Sequence, residues 1–276
     1  MPSEAEIMAA LLDTMSSGED FVSKFRGMLY GPSGVGKTVL GMQLAKKLLS
    51  GSGKVLFIDT AQGFATLQLN DKWRHLITNT TRMQYKNLDQ LKAVAKAIQN
   101  GAPNFTDYEV IVLDEGSSVA EQDLIQVSKY RTAQDPDRKE ENENTWPDRN
   151  IMYNRYRDMY YTLSACDVHI ITLSHEVKDD KLNLTRPSFG PKLYASIVEK
   201  MHVVGRVIAS ESNGQYKRTV QVKPTRTIVA KTRLDDLNGL DTEISFDDLI
   251  DAVSRFNRGG SATVDDSFAT VGITVN

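Results

Sequence analysis

Cysteine is nearly absent from this chain. Cys166 stands alone among 276 residues, so no intramolecular disulfide can form, and the composition suits a reducing cytoplasm. It directly precedes an apolar run and reads as a core thiol. Histidine is scarce too: the four, at positions 75, 169, 175 and 202, show no paired spacing and make no transition-metal site with the lone cysteine. No stretch approaches the roughly 18 uninterrupted apolar residues that a membrane helix needs. The opening Met1-Pro2-Ser3-Glu4-Ala5-Glu6 is acidic where an export signal would be basic, so a chain that is neither exported nor membrane-bound is expected. Positive charge is also in short supply. Lys and Arg total 33 against 36 Asp and Glu, giving a net charge of -3 and a pI near 5.9, so any contact with a polyanion must come from local basic loops.

Against these absences stands one complete motif. Gly31-Pro32-Ser33-Gly34-Val35-Gly36-Lys37-Thr38 matches G-x-x-x-x-G-K-[ST] at every required position. Gly27 to Tyr30 before it reads as a short buried strand, and Val39 to Leu49 after it has the apolar spacing of an amphipathic helix. Glycines let successive backbone N–H groups close around phosphate oxygens at a helix N-terminus, where the partial positive charge favours an anion. The expected ligand is ATP, with Lys37 reaching its β- and γ-phosphates and Thr38 ligating Mg²⁺, the only metal expected.

A second segment completes this site. Tyr108 to Glu115 is an apolar run ending in two carboxylates, which would deliver Asp114 beside the P-loop to hold the Mg²⁺ shell and Glu115 to deprotonate an attacking water. His175 ends the next apolar run, Val168 to Ser174, at a sheet edge where it could sense the γ-phosphate or simply be solvated. His169, mid-strand, reads as packed or hydrogen-bonded.

Along the chain, strands and helices alternate, which predicts an α/β fold with a mainly parallel sheet covered on both faces. Expected elements are a helix from Ser3 to Met15, strand 27–31, helix 37–49, strand 54–59, helix 88–100, strand 110–114, helix 152–165 and strand 168–174. Val203 to Ala209 and Tyr216 to Val222, separated by Asn213-Gly214, read as an antiparallel hairpin extending the sheet. A strand from Thr227 to Ala230 and a helix from Phe246 to Phe256 would finish the domain, leaving 258–276 as a flexible tail. Two long polar segments, Tyr130 to Asn150 and Glu176 to Lys192, read as loops. The acidic run Glu140 to Glu143 makes the first resemble a solvated linker. Lys178, Lys181, Arg186 and Phe189 make the second the better single-strand-binding candidate, with cations for phosphates and a ring for a base.

With the P-loop, the strand ending Asp59-Thr60-Ala61-Gln62-Gly63, the Asp114-Glu115 strand, Trp146, the strand ending Ser174-His175 and the late Ala230-Lys231-Thr232-Arg233, the chain resembles the RecA-like phage nucleotide-binding proteins, including single-strand-annealing ATPases. The resemblance spans about residues 25 to 255, with only the P-loop and acidic-strand segments individually specific. It implies a RecA-like P-loop ATPase domain over 21–257 after an N-terminal helix within 1–20, acting on single-stranded DNA in recombination, annealing or repair. Self-association into a ring or filament, a phage single-strand-binding or annealing protein as partner, and the host cytoplasm as location are also implied. It sets Lys231 and Arg233 to reach a neighbour's nucleotide, where they would otherwise be surface charge. One departure matters: Ala61 occupies the position where RecA-like proteins usually carry the catalytic glutamate. Glu115 would then take the base role, or hydrolysis would be weak with Gln62 positioning water. Two alternatives stay open, an AAA-type loader or remodeller of a protein partner and a nucleotide-gated binding module with little turnover.

Overall fold

A computed structural model describes Met8 and residues 24–135, 145–212 and 215–257. The expected N-terminal helix, the acidic run of the first polar segment, the Asn213-Gly214 turn and the C-terminal tail lie outside the described residues, Met8 excepted.

Six strands form the parallel core: β1 (Arg26–Gly31), β2 (Lys54–Asp59), β3 (Thr80–Gln84), β4 (Tyr108–Asp114), β5 (His169–Asp179) and β7 (Val203–Ser212). Their spatial order is β7-β1-β5-β4-β2-β3, so β5 separates the P-loop strand from the acidic strand. β8 (Gln215–Gln221) runs antiparallel to β7, and β10 (Glu243–Ser245) antiparallel to β8. β7 and β8 are the expected hairpin, since Ser212 pairs with Gln215, although β7 itself joins β1 in parallel.

Strand side chains alternate between two cores. Leu29, Phe57, Val112 and Leu173 face α1 (Lys37–Leu48) and α8 (Phe246–Asn257). Met28, Ile58, Ile111 and Ile170 face α3 (Leu88–Gln99), α4 (Gly116–Gln134), α5 (Trp146–Ser164) and α6 (Pro191–Glu199). Shorter pieces are α2 (Phe64–Gln68), a 3₁₀ turn at Arg74–Ile77 and α7 (Asp235–Asn238). Three side chains hold the start of β1. Arg26 donates to the carbonyls of Ser164 and Cys166 at the end of α5, where the helix leaves acceptors unpaired. His169 Nδ1 accepts the Phe25 N–H and His202 Nδ1 the Arg26 N–H, both at 2.9 Å.

In both long polar segments the described residues include regular structure that their composition did not imply. The described ends of the first are helical: α4 runs to Gln134, and α5 starts at Trp146, where the Thr145 N–H donates to Asp148 across the N-terminal turn. In the second, β5 continues to Asp179 and turns back as β6 (Leu184–Pro187), after which Pro191 opens α6. The strand expected at 227–230 is only an isolated bridge at Ile228, and pairing occurs instead at β9 (Lys231–Thr232) against β7. Among the described residues no helix is long and apolar enough to cross a membrane.

Candidate nucleotide site

The end of β1 and the start of α1 hold the P-loop at the carboxyl edge of the sheet, the place where open α/β sheets take ligands. Gly36 caps α1 with φ of +100°, a left-handed backbone that side chains rarely adopt. Lys37 is buried. Its ammonium turns back on the loop, donating to the carbonyls of Gly31 at 3.1 Å and Pro32 at 2.8 Å, and it stands 3.7 Å from Glu115 Oε1. Burial lowers its pKa, with Glu115 and Asp114 pulling the other way.

Thr38 and Asp114 meet across the gap between α1 and β4, the Thr38 hydroxyl donating to Asp114 Oδ2 at 3.0 Å. Burial pushes the Asp114 carboxyl up to about 7. The Thr38 hydrogen bond opposes that rise, while the Glu115 and Asp59 charges add to it. Gly63 closes this corner: a Cβ there would lie 2.0 Å from Asp114 Oδ2 and 3.4 Å from Thr38 Oγ1. Thr60 locks the strand end, its hydroxyl donating to the Asp114 carbonyl at 2.8 Å and accepting the Glu115 N–H at 2.6 Å.

Glu115 lies between Lys37 and His175, with Oε1 toward the Lys37 ammonium and Oε2 against His175 Nε2. The His175 backbone N–H donates to Ser117 Oγ, which ties the end of β5's core portion to the first turn of α4. His175 therefore sits beside the expected base. In the Asp59 to Gln62 segment, Asp59 is buried and accepts from Arg82 Nε at 2.6 Å, while Ala61 and Gln62 are exposed.

These donors fit a polyphosphate and a divalent cation. A buried ammonium has only carbonyls and one carboxylate for company, and a hydroxyl and a carboxylate converge on space that Gly63 keeps open. One or two protein oxygens completed by phosphates is how Mg²⁺ is usually held.

Other expected site residues are not in this cluster. Arg186 is 5% exposed; it pairs with Asp179 Oδ2 at 3.0 Å and donates to the Pro187 and Phe189 carbonyls. Phe189 is 3% exposed and packs on Tyr156. Neither side chain presents a face to DNA, because both hold the β5–β6 hairpin to α5 and α6, and the expectation is corrected for these two. Lys178 and Lys181 remain on the exposed hairpin. Lys231 and Arg233 lie away from their own P-loop, level with the beginning of β1: Lys231 Nζ donates to the Val198 and Glu199 carbonyls ending α6, and the Arg233 N–H to His202.

A glycine-rich strand–loop–helix cradle, an acidic strand end in hydrogen-bond contact with its threonine, and a parallel α/β core together define a P-loop NTPase. The chain belongs to the AAA domain family, which it matches over residues 23–234. Among solved structures, the flagellar accessory protein FlaH from Methanocaldococcus jannaschii is similar at 13% sequence identity and a TM-score of 0.40, over 71% of this chain and 76% of that one. No curated protein matches the sequence.

Proposed function

We propose that this chain is a RecA-like Mg-ATPase that hydrolyses ATP with Glu115 as the base and acts on single-stranded DNA in phage recombination, annealing or repair. The observation that supports it best is the joining of Thr38 to Asp114 at 3.0 Å, with Glu115 set between Lys37 and His175 in the same corner. Bound Mg-ATP supplies the phosphoanhydride to be cleaved and the cation that neutralises its charge. Lys37 would exchange the Gly31 and Pro32 carbonyls for phosphate oxygens. Thr38 and Asp114 would hold Mg²⁺, Glu115 would orient a water and take its proton, and His175 would register the terminal phosphate through the same edge. Lys178 and Lys181 are the remaining hairpin cations for a DNA backbone, and Lys231 with Arg233 would serve a neighbouring protomer in a ring or filament.

A second reading, remodelling of a protein partner, is favoured by the burial of Arg186 and Phe189, which removes half of the DNA contacts expected from sequence. ATP turnover with and without single-stranded DNA tests the choice. Glu115→Gln is expected to bind ATP like wild type and to lose about a hundredfold or more of turnover. Stimulation by single-stranded DNA that falls when Lys178 and Lys181 become Ala supports the DNA reading. Turnover indifferent to DNA but raised by a protein partner replaces it with the second.

A further inference from the structure

β7 and β8 stand as a wall beside the phosphate loop. Val207 of β7 lies against Gly31, its carbonyl oxygen 2.5 Å from where a Cβ on that glycine would be, and β7 continues past it to Ser212 with β8 returning alongside. Alternate residues of β8 share a face. Val220 points into the core formed with α1 and α8, so Arg218 and Tyr216 present themselves on that side too, further out along the hairpin. Arg218 Cδ and Nε are each 3.5 Å from the Cβ position of Gly36, and Phe246 Cε2, at the first residue of α8, is 3.9 Å from it.

Neither outer side chain has a structural duty in sight. Among the described residues, the Arg218 guanidinium makes no ion pair or hydrogen bond, and Tyr216, 72% exposed, has no ring or hydrogen-bond partner. The interior of the loop is already served by Lys37 and by backbone N–H groups. Arg218 instead lies outside the turn, approaching the same Gly36 Cβ position as Phe246. A planar guanidinium on the same side of the loop as aromatic side chains is better suited to a flat π system than to a bare phosphate, because it stacks as well as donates.

We propose that Arg218, Phe246 and Tyr216 form the site for the planar nucleobase of the nucleotide whose phosphates the P-loop takes. This rests on the nucleotide reading above and adds the element that recognises the base, supplied by the same chain. The β7–β8 hairpin and the start of α8 are thereby part of the nucleotide site as well as of the sheet.

Calorimetric titration with Mg-ATP and with Mg-tripolyphosphate, which has the phosphates and no base, separates the two halves. Arg218→Ala is expected to weaken Mg-ATP ~10-fold and to leave Mg-tripolyphosphate within ~2-fold, the loss typical of one stacking partner. Arg218→Lys, which keeps the charge without the planar fork, is expected to resemble the alanine variant, and Tyr216→Ala to show a smaller loss confined to ATP. Equal loss for both ligands would make Arg218 a phosphate contact and overturn the proposal, as would unchanged ATP affinity. Wild-type protein that takes up neither ligand removes the P-loop reading itself, and the base site with it.

Discussion

Gly63 is the most constrained residue of the site outside the P-loop. Its backbone, with φ of -60°, would suit any amino acid, so the obstacle to a side chain is steric: the Asp114 carboxylate oxygen lies 2.0 Å from the Cβ position. Gly63→Ala must therefore push Asp114 away from Thr38. The expected result is a folded protein whose affinity for Mg-ATP falls ~10-fold or more while affinity for ATP in excess chelator is nearly unchanged, read by titration with and without Mg²⁺. Equal affinities with and without the metal in wild type would take Asp114 out of the metal site. At this scale the sequence was legible where the residues of the candidate site are contiguous, as in Gly31 to Thr38 and Asp114-Glu115. Arg218 could not be found that way, because its place beside Gly36 depends on the register of a distant hairpin.

Whole elements were missed where burial and hydrophobicity part company. α4 buries Ser117, Asp123 and Ser128 beside Val119 and Val127, so it has no apolar stripe to mark it; Asp123 is neutralised by Arg155 from α5, at 3.0 Å. The β5–β6 hairpin was misread for the opposite reason, its charged residues suggesting an open loop. Inside it Arg186 satisfies Asp179, two backbone carbonyls and the face of Tyr194, with its guanidinium carbon 5.0 Å from the ring centre. Removing the buried Arg186 side chain leaves the Pro187 and Phe189 carbonyls and Asp179 without their partner, so Arg186→Met should lower the unfolding free energy. Urea unfolding checks it. A change below about 0.5 kcal/mol would mean that the side chain is a spectator, available for another task.

Across the whole molecule, the carboxyl edge of the sheet holds the candidate nucleotide site while the opposite edge is fastened by two histidines. Burial lowers His169 to about 4, helped by the Lys24 and Arg26 charges and opposed by Asp167; His202 nearby contributes repulsion. His202 is lowered to about 4 by burial and by the Arg26, Arg233 and Lys231 charges. Each ring must stay neutral to accept a backbone N–H at the start of β1. Between about 4 and 6.5 the unfolded chain therefore binds protons that the folded chain refuses. Their contribution to stability is complete above pH ~6.5 and is lost as the pH falls toward 4, each ring being worth on the order of 1–3 kcal/mol. Asp114, raised to about 7, acts in the opposite direction across much of the same range, which is why wild type alone is a poor test. His169→Asn and His202→Asn place an amide oxygen near the lost acceptor, keep Asp114 unchanged and remove the titration. The double variant is expected to lose less stability than wild type between pH 6.5 and 4.5 in urea unfolding, with the profiles parallel above pH 7. If the two proteins lose stability in parallel through that interval, the histidines are not what makes the lower edge of the sheet sensitive to acid.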